Sequence, residues 1–218
     1  MGHTTHIFLH IVLFAGWFGA HLGVTLLLWQ LLRPGLSAEA DQAIRNALRR
    51  TDLIPRASYV LMLPMGLLLA DTLGLFALEN TSIIGAWLFA ALWLFVTWQV
   101  NRQQPDDAGK AVLITERLLS AALIIVLVGA GILSLLGGAP ISQSWLAWKV
   151  ILYGVSLGAM VLVDVAMEPL RPALTKRPRR DDVAEPNLRP VVIRSTAAAL
   201  VLYAALLGAA FIGVTRPL

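Results

Sequence analysis

IFLHIVLFAGWFGAHLGVTLLLWQL, residues 7–31, contains no Asp, Glu, Lys or Arg. At about 1.5 Å of rise per residue, an uncharged helical run of this length crosses the roughly 30 Å of hydrocarbon in a bilayer. The run is continuous rather than alternating, which argues for a helix and against a strand of a β-barrel. Five similar stretches follow, near 57–77, 84–101, 113–137, 145–167 and 192–214. The third span is the shortest, with Trp87 and Trp98 as interfacial anchors. The composition agrees: 58% of residues are hydrophobic, 14% are charged and mean hydropathy is +0.75. A soluble domain averages about 25% charged residues. The expected fold is therefore all-α, a polytopic bundle of six transmembrane helices forming one domain over residues 1–218. The N-terminal run is long enough to span and lacks a basic leader, so no cleavable signal is expected.

The absence of cysteine removes disulfides, thiolate metal sites and iron–sulfur clusters from consideration. The net charge of +4 does not argue for a nucleic-acid partner, because the basic residues flank the spans. Their distribution instead sets an orientation. Arg33, Arg45, Arg49, Arg50 and Arg56 fall in the first connection, and Arg102, Lys110 and Arg117 in the third. Arg171, Lys176, Arg177, Arg179, Arg180, Arg189 and Arg194 fall in the fifth, while connections 78–83 and 138–144 have none. Fifteen of the seventeen cationic residues thus share one side. The positive-inside rule makes that side cytoplasmic, with both termini outside, in a bacterial inner membrane.

SAEADQAIRNALRR, residues 37–50, reads as an interfacial helix over about 38–50. Ser37 is its N-cap, Glu39 and Asp41 sit in its first turn, and Arg49 and Arg50 close it. Ala40, Ile44, Ala47 and Leu48 give it an apolar face. The proline- and charge-rich segment 171–190 reads as a mobile loop, whose basic cluster could attract anionic lipid. Arg56 before Trp87-Leu88, and Arg117 before Trp145-Leu146, suggest a duplicated helical hairpin.

All four histidines lie in the first span. His3, His6, His10 and His21, together with Trp17, fall within about 60° on a helical wheel. Gly16, Gly19 and Gly23 lie toward the other side, bare enough for a neighbouring backbone. Ionisable groups within a membrane face the bundle interior or a polar cavity, so the stripe is expected to point inward. By depth, His10, Lys149 and Asp71 can share one layer near the outer interface, making them the best candidate site. A lysine at that depth could equally snorkel to the surface.

The chemistry at this point has several readings. His6 and His10 at i,i+4, with His3 one turn earlier, could share copper or zinc. His10 and His21 are about 16 Å apart along one helix and cannot ligate one iron from both faces. A single histidine, or His10 paired with Met62, Met65 or Lys149, could still hold heme b. His21 is most simply a hydrogen-bonded core histidine.

His10, six residues and Trp17, followed by the Trp-Leu-x-x-Lys of Trp145, Leu146 and Lys149, form the specific part of a family pattern. A span containing Pro64 that follows an arginine, Arg56, adds weaker support. In these elements the chain resembles the membrane superfamily of HemJ-type protoporphyrinogen oxidases and copper resistance D (CopD-like) proteins. They cover about half of it. The resemblance implies heme or porphyrin binding through His10 and Lys149, which would also be the catalytic pair, and the six-electron oxidation of protoporphyrinogen IX. Trp17, His21 and Met65 are further candidate cofactor-binding residues from the reading of the spans, with Asp71 and Arg56 as supporting candidates. HemJ-type proteins have four helices, so two further helices separate the matched elements here.

Three functional classes follow: a redox-active heme or porphyrin protein, a copper or other metal transport protein, and a non-catalytic scaffold or accessory subunit. The expected partners are membrane lipid, a porphyrin or heme, and either a second copy of the chain or a respiratory-chain protein.

Overall fold

The computed structural model describes residues 2–75, 78–102, 107–137, 140–175 and 187–215, and these form helices and turns without a strand. The helices are α1 (Gly2–Gln30), α2 (Ala38–Thr51), α3 (Leu53–Thr72) and α4 (Asn80–Arg102). They are followed by α5 (Asp107–Leu135), α6 (Ser144–Met167), the short α7 (Arg171–Thr175) and α8 (Leu188–Thr215). A 3-10 turn at Glu168–Leu170 joins α6 to α7. Six helical segments are long and apolar enough to cross a membrane: α1, the α2–α3 unit, α4, α5, α6 and α8.

Short connections make consecutive antiparallel helices neighbours. Accordingly α1 packs on α3, α3 on α4, α4 on α5, α5 on α6 and α6 on α8. Contact of α8 with α1 closes the bundle into a ring. Large apolar side chains such as Leu88, Ile125 and Phe211 stand exposed on its outer surface. In water such a surface would aggregate; against lipid tails it needs no partner.

The element limits refine the expected spans. The first helix begins at Gly2, so His3 and His6 are helical. A helix forms over Ala38–Thr51 with the expected cap: Ser37 Oγ accepts the Ala40 N–H at 3.1 Å, and Leu48 is buried. Asp52 then ends α2 and begins α3, so the second span starts four residues before residue 57. That span also stops early, at Thr72 rather than residue 77. Gly74, at φ 68°, donates to the Asp71 carbonyl, and Leu75 donates to that of Ala70. This is a Schellman ending, which needs a left-handed residue and suits glycine. The basic cluster at 176–180 lies outside the described residues.

The two turns at the end remote from the basic connections repeat one construction. Asp71 Oδ1 accepts the Leu78 N–H at 3.0 Å, seven residues on, with Gly74 between them. Ser134 Oγ accepts the Ile141 N–H at 3.1 Å, also seven residues on, with Gly137 at φ 87° between them. Each turn therefore couples a glycine at positive φ to a helix-end acceptor that holds the returning chain.

The core lies in two layers. An aromatic layer fills the middle of the ring: Trp17 of α1 meets Tyr59 of α3 and Tyr153 of α6, each at 5.7 Å between ring centroids. Tyr59 in turn meets Trp93 of α4 at 5.4 Å. Tyr153 donates to the Tyr59 carbonyl at 2.7 Å, which satisfies its buried hydroxyl across the ring. Toward the basic end an aliphatic layer of Val24, Leu28, Val163, Leu170 and Val192 packs against Leu48 of α2.

Candidate functional site

Polar side chains gather on both sides of the aromatic layer. At the end remote from the basic connections, His10 is half-buried and its Nδ1 is buried without a hydrogen-bond partner. Its ring lies over Gly66 of α3, where an added Cβ would come within 3.7 Å of Cε1. Lys149, also half-buried, runs along Gly213 of α8, where a Cβ would stand 2.7 Å from Nζ. The ammonium is close enough to act electrostatically on the imidazole. Glycines on two neighbouring helices thus make room for these side chains, and the structure gathers α1, α3, α6 and α8 around them.

The other predicted residues are placed less uniformly. His3 is exposed, because the first turns of α1 stand clear of the other helices; the inward stripe is realised only from His6 onward. His6 is half-buried, and its Nδ1 also lacks a partner. Among the described residues no group of three or more His, Cys, Asp or Glu is disposed to hold a metal ion, so His3, His6 and His10 do not converge as a ligand set. Asp71 holds the turn through Leu78. Met65 is buried on α3. Trp17 is fully buried within the aromatic layer, so it walls off the space below His10.

His21 is a buried core histidine, as its sequence setting suggested. Its Nδ1 lies 3.1 Å from Tyr203 Oη of α8, and that hydroxyl lies 2.8 Å from Thr25 Oγ1. Its Nε2 has no hydrogen-bond partner. Of the glycine face, only Gly16 meets a neighbour closely: a Cβ there would lie 2.6 Å from Ser58 Oγ, whereas Gly19 faces open space.

The largest feature absent from the sequence reading is at the basic end. Arg56 Nε donates to Asp52 Oδ2 at 2.7 Å, and Nη1 donates to Asp164 Oδ2 at 3.0 Å. Nη2 pairs with the other Asp164 oxygen. Glu116 of α5 stands 3.7 Å from Nη1 and accepts the Thr97 hydroxyl of α4 at 3.0 Å. Arg171 lies 3.5 Å from Asp164, and Arg117 pairs with Glu168 at 2.8 Å. Arg56, Glu116 and Asp164 are each at least nine-tenths buried. Single acids in apolar helices were the available signal.

The chain matches no protein-family model, no curated protein and no solved structure.

The residues around His10 fit a heme or porphyrin in their donors: a buried nitrogen that lacks a partner and a cation for a propionate. Below them Trp17 packs against Tyr59 and Tyr153, so these donors would serve a macrocycle at the mouth of the bundle and not one inserted in its core. Copper would find His6 and His10 on successive turns, without a third ligand gathered to them.

Proposed function

We propose that this multi-pass membrane protein binds a heme or porphyrin at the mouth opposite its basic connections, with His10 as iron ligand. The single observation carrying this reading is the His10 Nδ1, buried without a partner and within electrostatic reach of Lys149. A buried nitrogen left without a hydrogen bond costs about 1–3 kcal/mol, which a ligand that parted the side chains covering it would relieve. Lys149 would hold an anionic propionate, and the exposed apolar surface places the protein in lipid. With the positive-inside rule, the mouth faces outward across a bacterial plasma membrane. When bound, heme b would supply one-electron chemistry. The finer form of this reading is the six-electron oxidation of protoporphyrinogen IX, with a respiratory-chain protein to receive the electrons.

The test is the absorbance spectrum of protein purified from membranes supplied with heme. A Soret band that His10→Ala abolishes and Lys149→Met weakens is the expected result. No Soret band in the unaltered protein, or one indifferent to His10→Ala, would reject the proposal. A second reading, a non-catalytic scaffold, is favoured by the filled aromatic layer. It predicts that His10→Ala changes neither cofactor content nor activity.

A further inference from the structure

Among the described residues, the acids around Arg56 outnumber the cations that pair with them. Arg56 and Arg171 face Asp52, Asp164 and Glu116, while Arg117 is paired with Glu168. The distribution is uneven. Arg56 gives Nε to Asp52 and both terminal nitrogens to Asp164. Glu116, with its side chain only 4% exposed, receives a 3.7 Å approach from the same guanidinium and one hydroxyl. A buried carboxylate is tolerated only when it is paired and its lone pairs are filled, and otherwise it takes up a counter-charge.

A cleft of about 10 Å3 reaches this carboxyl, lined by Tyr59, Glu116, Arg117, Ser120, Val161 and Asp164 among others. That is the space of a single water. Arg117 and Val161, both partly exposed, lead outward. Tyr59 belongs to the aromatic layer and closes the inner end.

We infer that Glu116 is a proton-binding site that exchanges with water from the basic end of the bundle through this cleft. A hydrated proton passes to a Glu116 oxygen and returns by the same path; only O–H bonds form and break, and no other reactant is needed. A metal cation is a poorer occupant, because Arg117 lines the cleft, the Arg56 guanidinium lies 3.7 Å from Glu116, and the space admits only one water. The groups that face Glu116 are Thr97 from α4, Arg56 and Tyr59 from α3, Asp164 from α6 and Arg171 from α7, with Asp52 beyond Arg56. His21 of α1 is within electrostatic reach of Asp52, Asp164 and Arg56 and belongs to the same field. The aromatic layer separates this site from His10, so the inference does not depend on the ligand proposed there.

Infrared difference spectra of the full chain in lipid nanodiscs, recorded across a pH titration in H2O and D2O, test it. The expected result is a carboxylic-acid carbonyl band that titrates reversibly, shifts in D2O and is lost in Glu116→Gln. Ser120→Val, which fills the cleft, should retain the band and slow its hydrogen–deuterium exchange. Thr97→Val, which removes the hydroxyl donor, should retain the band and shift its frequency. That second variant decides the matter if Glu116→Gln cannot be purified. No titrating band, a band unchanged in Glu116→Gln, or one unmoved in Thr97→Val would overturn the assignment. So would a titration midpoint that follows sodium concentration at constant ionic strength, which would mark a cation site.

Discussion

All three nitrogens of the Arg56 guanidinium point at acids, and no water-exposed face is left to take over if it is lost. Arg56→Met should leave Asp164 buried with the 3.5 Å approach of Arg171 and Glu116 buried with the Thr97 hydroxyl. The expected loss is about 3–5 kcal/mol, read as a lower unfolding temperature in detergent. Arg56→Lys should recover only part of it, because one ammonium cannot serve Asp52 and both Asp164 oxygens together. The sequence marks Arg56 as the residue opening a span and as a support for the candidate site. Its main partner is 108 residues away, and such a pairing is set by how α3 and α6 meet, which no local pattern records. His10 and Lys149 were legible for the opposite reason: both follow from counting residues inward from a span end. Trp17 shares the histidine sector on the wheel, yet its ring is taken by Tyr59 and Tyr153. A wheel gives direction and says nothing of what already occupies that direction.

Among the helices, α5 and α6 approach closely at two glycines, one on each. A Cβ on Gly154 would lie 2.8 Å from Val128 Cγ2, and one on Gly131 would lie 2.9 Å from the Ala147 carbonyl oxygen. Gly154→Leu should force these helices apart and cost about 1–3 kcal/mol, measured as thermal unfolding of the purified protein. Gly19→Ala, which meets nothing within 4 Å, is the matched control and should be neutral. The glycine face of α1 is bare enough for a neighbouring backbone, and there Gly16 alone meets a neighbour closely. Regular spacing shows that a bare stripe exists; the neighbour's position decides whether it is used. The spans themselves were legible because length and lack of charge are local properties. The Asp71 and Ser134 turn clasps were not, since each needs a positive φ and an N–H seven residues away.

For the molecule as a whole, the charge distribution carries an orientation that chemistry can check directly. The native chain has no cysteine, so single cysteines can be placed without background. An impermeant thiol reagent added to intact cells should label Ser82→Cys and Ser142→Cys, which lie at the turns without basic residues. It should reach Asn46→Cys in α2 only after the membrane is opened. The reverse pattern would invert the expected topology and place the His10 mouth on the cytoplasmic side. The closed ring also has a consequence for synthesis. The helix that completes it, α8, leaves the ribosome after the other five spans, and it brings the Tyr203 hydroxyl that His21 meets. Until then α1 presents an unmet imidazole in the membrane. A nascent chain stalled before α8 would carry a polar flaw in lipid, the kind of signal by which an intramembrane protease or insertion chaperone distinguishes an unfinished protein from a finished one.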